Sequence, residues 1–582
     1  MGARVGGGTI RLCSTNAVSA ASEASLSHLK GPSNTPLLAE HTAQMFSRQV
    51  EKYGDRCFVV SLEQRIRYSW NEVWEKAQSL AAGLHQSGFR KGDKLAVWLP
   101  NCAEWVVTQI ATAMIGVPLV ALNPAYRAHE LKHALALTEC KGLLLRPRLK
   151  SSDYFSILKE VLPGMDAARP GEIHSAYIPT LRQVFMLDSH DHHTPPPSCV
   201  VPYHDLLIDR PASQLLQQIK STMMHPDDII NIQMSSGTTG LPKAVALSHR
   251  NILNNGYFCG ERMQLTDSDR LVIPVPLFHC FGLVLGNLAA MAWGARIIYP
   301  SAVFHSESCL RAIETERATA VHGTPTMLIA MLEHAKKYDC SSLRTGIAAG
   351  AVVPSEVMKA LVREMNLSQM TIAYGMTETS PVSFQTWADT PFREKVETVG
   401  LIHPHAEVKI VDPETRKLLP RNTVGELCTK GYLVMQGGYY GQPDKTRETI
   451  DEDGFVKTGD LATMNEDGFV RISGRLKEMI SRGGEKISPA FVENFLLQYP
   501  KIKNVTVLGV PDAKFGEQVC AFVISKDGET ISEGELLQFC HGKIAHFQIP
   551  RYWIFTDKFT TTANGKVQRY LMRGDAIRML GL

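Results

Sequence analysis

A run of hydroxyls and glycines ending in a lysine, Gln233-Met234-Ser235-Ser236-Gly237-Thr238-Thr239-Gly240-Leu241-Pro242-Lys243, is the segment of this chain best suited to holding phosphate. Ser235, Ser236, Thr238 and Thr239 supply hydroxyl donors, Gly237 and Gly240 allow close backbone approach, and Lys243 adds a point charge. Such a set suits a triphosphate. It is not a Walker loop, which ends in Gly-Lys-Ser/Thr, because Pro242 precedes Lys243 and Ala244 follows it. Taken alone, the segment reads equally well as an ordinary Ser/Thr/Gly turn.

It does not stand alone. Four further segments follow in order: Tyr374-Gly375-Met376-Thr377-Glu378-Thr379; Lys457-Thr458-Gly459-Asp460; Gly474-Arg475-Leu476-Lys477-Glu478 with Arg482-Gly483-Gly484-Glu485-Lys486; and Asn564-Gly565-Lys566. On these five motifs, and over essentially everything after residue 36, the chain resembles the adenylate-forming superfamily of acyl-CoA synthetases, luciferases and peptide-synthetase adenylation domains. The resemblance implies an ATP-dependent ligase that activates a carboxylic acid as an acyl-adenylate and transfers the acyl group to coenzyme A. ATP and CoA are then co-substrates and magnesium a cofactor.

The roles that the resemblance implies agree with physical need, since attack on the α-phosphorus builds charge on phosphate oxygens that cations and oriented donors must meet. Ser235 to Lys243, with Thr377, would contact ATP, and Thr238 and Glu378 would stand in the magnesium environment, where a hard cation prefers oxygen ligands. Tyr374 would stack on adenine, Asp460 would accept the ribose hydroxyls, and Arg475 would add donors beside it. Lys566 would bridge the acyl carboxylate and the α-phosphate. Lys477 would be the pivot about which a small C-terminal domain turns between the two half-reactions. Gly483 and Gly484 would line a channel for pantetheine, although a plain tight turn explains Gly483 as well. His279, in Pro276 to Gly282, would line the way to the carboxylate, with a satisfied core histidine as the alternative.

The chain departs from the common pattern at Thr560 to Thr562, where Pro-Arg-Thr is frequent, at Ala244 in place of glycine, and at Ser488 in place of an aromatic residue. The spelling of Pro276 to Gly282, His322 to Met327, Gly431 to Met435 and His541 to Pro550 is most similar to mitochondrial medium-chain fatty acid ligases of the superfamily, which implies a medium-chain acid. Aryl-CoA and carrier-protein-loading ligases share the adenylation motifs and stay open as alternatives. A non-catalytic acyl or nucleotide sensor is disfavoured by the retention of Lys243, Glu378, Asp460, Arg475 and Lys566.

These groups need a scaffold, and 582 residues exceed what one hydrophobic core holds, so at least two domains are expected. With 44% hydrophobic and 20% charged residues and a net charge of +3, the composition is that of a globular protein, and the scattered cations give no track for nucleic acid. From Tyr68 onward the pattern alternates: a helix over Trp70 to His85, a buried strand over Lys94 to Leu99, a helix over Ala103 to Ile115 and a strand over Val117 to Leu122. That order predicts parallel strands covered by helices. Asp166 to Met223 reads as a surface excursion, and parallel strands resume at Ile229. Beyond a strand over Gly468 to Ile472, the segments Pro489–Gln498, Val505–Val510, Gln518–Ser525, Ser532–Cys540 and Tyr552–Phe555 read as a small α+β domain. Pattern and resemblance together give the expected organisation: a large α/β domain over residues 36–473 with mostly parallel sheets and a small α+β domain at 478–582, which the resemblance implies are an adenylating domain and a mobile domain joined by a hinge at 474–477.

The 12 cysteines are scattered singly without a Cys-x-x-Cys pair, which suits a reducing compartment. Ser189 to His193 reads as an exposed loop ahead of three prolines rather than a metal site. No apolar run reaches the length of a bilayer span. Residues 1–35 read as a mitochondrial transit peptide, implying a matrix location, or as a disordered tail: Arg4, Arg11 and Lys30 accompany many Ser, Ala and Gly, and Glu23 is the one acid among the first 30. The oligomeric state is left open.

Overall fold

The computed structural model describes residues 26–187, 197–209, 211–221, 223–235, 241–483, 485–561 and 567–582. Two large sheets form the body of the protein. The first has seven strands in the order Val200–Pro202, Gln183–Met186, Gly142–Leu145, Leu95–Trp98, Leu119–Ala121, Ile229–Ser235 and Lys243–Ser248. Every neighbouring pair is parallel except the last, a hairpin that sets Ser235 opposite Lys243. The second has nine strands, from Leu401–Ile402 through Val382–Gln385, Gln369–Gly375, Thr345–Ala349, Ala320–Gly323, Arg270–Val272, Arg296–Tyr299 and Cys57–Ser61 to Ile66–Ser69. Its interior is parallel and its margins antiparallel.

The helices follow from local signals. Trp70–Gln86 starts in a capping box in which Ser69 accepts from the Glu72 amide and the Glu72 side chain accepts from the Ser69 amide. Glu104–Ile115 ends at Gly116, whose φ of 64° suits glycine, and is buried along its whole length after Glu104. A helix apolar all round belongs inside, and this one packs on Trp70–Gln86 and Thr42–Tyr53 within the core shared by the two large sheets.

Three elements correct the sequence reading. The stretch Asp166 to Met223 is more than an excursion, since Gln183–Met186 and Val200–Pro202 extend the first sheet; the His-rich Ser189 to His193 lies outside the described residues. A third sheet, wholly antiparallel, joins His28–Lys30, Ala406–Val411, Gly425–Gly431, Val456–Met464 and Val470–Arg475. Its last strand runs through Gly474 and Arg475, so half of the expected hinge is strand, and the chain first leaves the sheet at the short turn Leu476–Glu478. In the C-terminal region the expected strands appear as Ile502–Asp512, Gly516–Ser525 and Tyr552–Phe555, joined in one sheet by two short strands not foreseen, Ile480–Arg482 and Glu485–Ile487, and flanked by the expected helices Pro489–Leu496 and Glu533–Cys540. A final helix, Arg569–Leu580, was not foreseen.

The expected tail also ends earlier than residue 35. His28–Lys30 pairs with Glu407–Lys409, Ser27 is fully buried with its hydroxyl donating to the Pro420 carbonyl at 2.9 Å, and Nε2 of His28 meets Glu407 at 2.6 Å. A Cβ on Gly31 would lie 2.1 Å from the His403 carbonyl oxygen, so only glycine fits this approach. A chain beginning at Leu26 is therefore expected to melt like the full chain, whereas one beginning at Pro36 exposes the edge of Ala406–Val411 and loses roughly 2–4 °C for each kcal/mol removed. Calorimetry of the two truncations checks this; equal melting temperatures would make the strand dispensable.

Among the described residues, no helix is long and apolar enough to cross a membrane and no group of three or more His, Cys, Asp or Glu could hold a metal. Their cysteines are free thiols, all buried except Cys57.

Candidate active site

The strand Gln369–Gly375 and the turn after it serve two side-chain clusters. In the first, Tyr374 at the end of the strand donates its hydroxyl to Oδ2 of Asp460 at 2.6 Å, and Nε of Arg475 approaches Oδ1 at 3.0 Å. Asp460 and Arg475 are direct partners across two antiparallel strands, which explains how motifs 15 positions apart meet. The carboxylate is only 5% exposed, while the Arg475 side chain keeps 41% of its surface open. Thr458 anchors the motif by donating to the Leu427 carbonyl at 2.7 Å, and Gly459, at φ 69°, turns its amide toward Glu426. Burial first, and the Asp460 carboxylate second, push the Tyr374 phenol well above its usual range, so it remains a donor. The cluster is a fixed, nearly buried carboxylate beside a partly exposed guanidinium.

The second cluster lies four residues further on. Glu378, in the single turn Thr377–Thr379, is 7% exposed and accepts at Oε1 from the Tyr439 hydroxyl at 2.6 Å. The ammonium of Lys243 stands 4.5 Å from the centre of the same tyrosine ring. Buried Cys280, next to His279, has its thiol raised by burial and by the Glu378 carboxylate. His279 is half-buried, its Nδ1 accepting from the Phe281 amide at 3.1 Å. A cation and a carboxylate on one aromatic ring can meet a phosphate and its counter-ion. Tyr439 was not foreseen; Gly-Tyr-Tyr after a glycine carries no local mark of function.

Of the other expected residues, Ser235 closes the outgoing strand of the hairpin, Leu241 is exposed and Pro242 is buried, its carbonyl accepting from Nε2 of His133 at 2.9 Å. Thr377 is half-buried. Ser236, Gly237, Thr238, Thr239, Gly240, Gly484 and Lys566 lie outside the described residues. Lys477 is exposed in the turn leaving the third sheet. Gly483 has φ 58° and donates its amide to the Phe515 carbonyl at 2.8 Å, the geometry of a tight turn. Ser488 caps Pro489–Leu496 and donates its hydroxyl to the Ser473 carbonyl, linking the C-terminal region to the third sheet. Arg569 fastens the final helix to the turn Leu476–Glu478 and to Pro489–Leu496, reaching Glu478 at 3.0 Å and Glu493 at 2.8 Å.

Comparison with known proteins shows the family to which the chain belongs. Residues 46–440 match the family model of the AMP-binding enzymes, and residues 492–566 match the AMP-binding enzyme C-terminal domain. YngI of Bacillus subtilis (strain 168), provisionally named an acyl-CoA synthetase, is 43% identical over 94% of this chain and 99% of its own. The mitochondrial medium-chain acyl-CoA ligase ACSF2 of Danio rerio is 41% identical over 96% of this chain and 91% of its own. Among solved structures, ATP-bound MatB of Rhodopseudomonas palustris superposes with a TM-score of 0.77 at 26% identity, covering 92% of this chain and 99% of that one. The chain belongs to the AMP-binding enzyme family, and its place among the acyl-CoA synthetases makes it an ATP-dependent ligase that forms an acyl-adenylate and passes the acyl group to coenzyme A.

Proposed function

We propose that the acid is a medium-chain fatty acid and that the two clusters divide ATP between them. The observation that carries the division is the pairing of Tyr374 and Arg475 on buried Asp460, set apart from the Lys243, Tyr439 and Glu378 group by one short run of chain. Asp460 accepts the ribose hydroxyls, and the Tyr374 ring offers a face to adenine. Lys243, with Ser235 to Pro242 and Thr377, holds the phosphates. An oxygen of the acid attacks the α-phosphorus as the bond to the β-phosphate breaks and pyrophosphate leaves. Lys243, Arg475 and Lys566 offset the charge that builds. The CoA sulfur then attacks the acyl carbon and AMP departs.

Glu378 suits a hard cation, because its oxygen ligand is buried and, among the described residues, only Oε1 is engaged. Magnesium there, with Thr238 as a second ligand, would spread charge from the phosphate oxygens. Between the half-reactions the region after Lys477 turns, Gly483 and Gly484 come to line the path of pantetheine, and His279 faces the carboxylate. The medium-chain reading rests on relatives such as ACSF2 that carry that name over nearly the whole chain. Pyrophosphate release across a panel of straight-chain and aromatic acids, with and without CoA, tests it. A preference for medium-chain acids and turnover that needs CoA are expected; an aromatic preference would overturn the substrate.

We also place the enzyme in the mitochondrial matrix. Arg4, Arg11 and the Ser, Ala and Gly of residues 1–25, with Glu23 the one acid, suit an import signal, and several relatives are named mitochondrial. Fusing residues 1–25 to a reporter should carry it into mitochondria. A reporter left in the cytosol would overturn the placement.

A further inference from the structure

Tyr439 sits where the two large sheets meet. The run Gly437 to Tyr440 adds itself to the free edge of Lys243–Ser248: the Ala246 amide donates to the Gly438 carbonyl at 2.9 Å, Gly437 donates back to Ala246 at 3.1 Å, and Tyr440 donates to Ala244 at 2.7 Å. This edging holds the Tyr439 ring against the first sheet, next to Lys243. Its hydroxyl reaches the other way to Glu378, which follows a strand of the second sheet. The contact is doubly anchored, because the Met435 amide donates to the Glu378 carbonyl at 2.9 Å and the Tyr439 amide donates to the Thr446 hydroxyl at 2.9 Å.

We propose that Tyr439 is a positioning residue for the nucleotide's cation and phosphates, its hydroxyl fixing Oε1 of Glu378 so that Oε2 is aimed at the metal, and its ring steadying the Lys243 ammonium. The assignment rests on the reading of Glu378 as a cation ligand and of Lys243 as a phosphate contact. An ionised carboxylate has two oxygens and free rotation about its last bond; one strong donor removes that freedom before the metal arrives. Partners of this kind beyond the metal's own ligands are typically worth about 10–100-fold in metal affinity.

The experiment measures ATP affinity by calorimetry, with magnesium and with chelator, for the full chain and for Tyr439→Phe, Tyr439→Leu and Glu378→Gln. The readout is the ratio of the two affinities. Each variant is its own reference, so a general loss of fold lowers both values and leaves the ratio alone. Tyr439→Phe should shrink the magnesium ratio by about tenfold or more while metal-free ATP binds as before. Tyr439→Leu should also weaken metal-free binding, because Lys243 loses the ring. If Glu378→Gln shrinks the ratio and Tyr439→Phe does not, the role of the Tyr439 hydroxyl is refuted and the reading of Glu378 stands. If Glu378→Gln leaves the ratio whole, Glu378 is no cation ligand and the inference falls with it. Metal-free affinity unchanged in Tyr439→Leu would refute the contribution of the ring.

Discussion

Lys566→Ala is expected to slow acyl-adenylate formation by about 10²–10³, the usual loss when one preorganised charge-stabilising group is removed, while chemically supplied acyl-adenylate is still converted to acyl-CoA at near the parent rate. Arg569 ties the final helix to Glu478 in the turn Leu476–Glu478. The proposed turn at Lys477 between the two steps predicts this separation of the half-reactions. Single-turnover assays of each half-reaction decide the matter. Equal loss in both would give Lys566 a structural role or deny the rotation, and no loss in either would remove it from the mechanism.

Asp460→Ala should raise the KM for ATP by roughly 10–150-fold, since a hydrogen bond to a charged group is worth about 1.5–3 kcal/mol. The fold should survive, because the freed Arg475 side chain is 41% exposed and can hydrate. The order of preferred acids should stay as it is. Steady-state kinetics over ATP and over several acids check both statements, and a changed acid order would show that Asp460 does not serve the ribose.

The sequence revealed what short-range pattern encodes. Leu95–Trp98 and Leu119–Ala121 were legible as strands because an unbroken apolar run of that length is what a parallel strand covered on both faces requires. Glu104–Ile115 was legible as a helix between them. The pairing of Asp460 with Arg475 was readable only as two motifs; that a hairpin sets them face to face is a matter of register. Tyr439 escaped notice because its partner Glu378 is 61 positions away and no periodicity links them. The helix Arg569–Leu580 escaped because Arg573, Gly574 and Asp575 break its apolar face, and only Met572 and Ala576 are buried. His28–Lys30 is three residues long, below what alternation can signal.

That short N-terminal strand also constrains the order of events when the chain is made from its N-terminus. Its pairing with Glu407 spans 379 positions, so no partner exists until Ala406–Val411 has left the ribosome. Closing so long a loop is entropically slow to be rewarded, which makes the docking a late step of folding. Until then His28–Lys30 has no strand to pair with. Once the strand has docked, Ser27 lies in the interior, so any proteolysis between Leu26 and Lys30 has to precede docking.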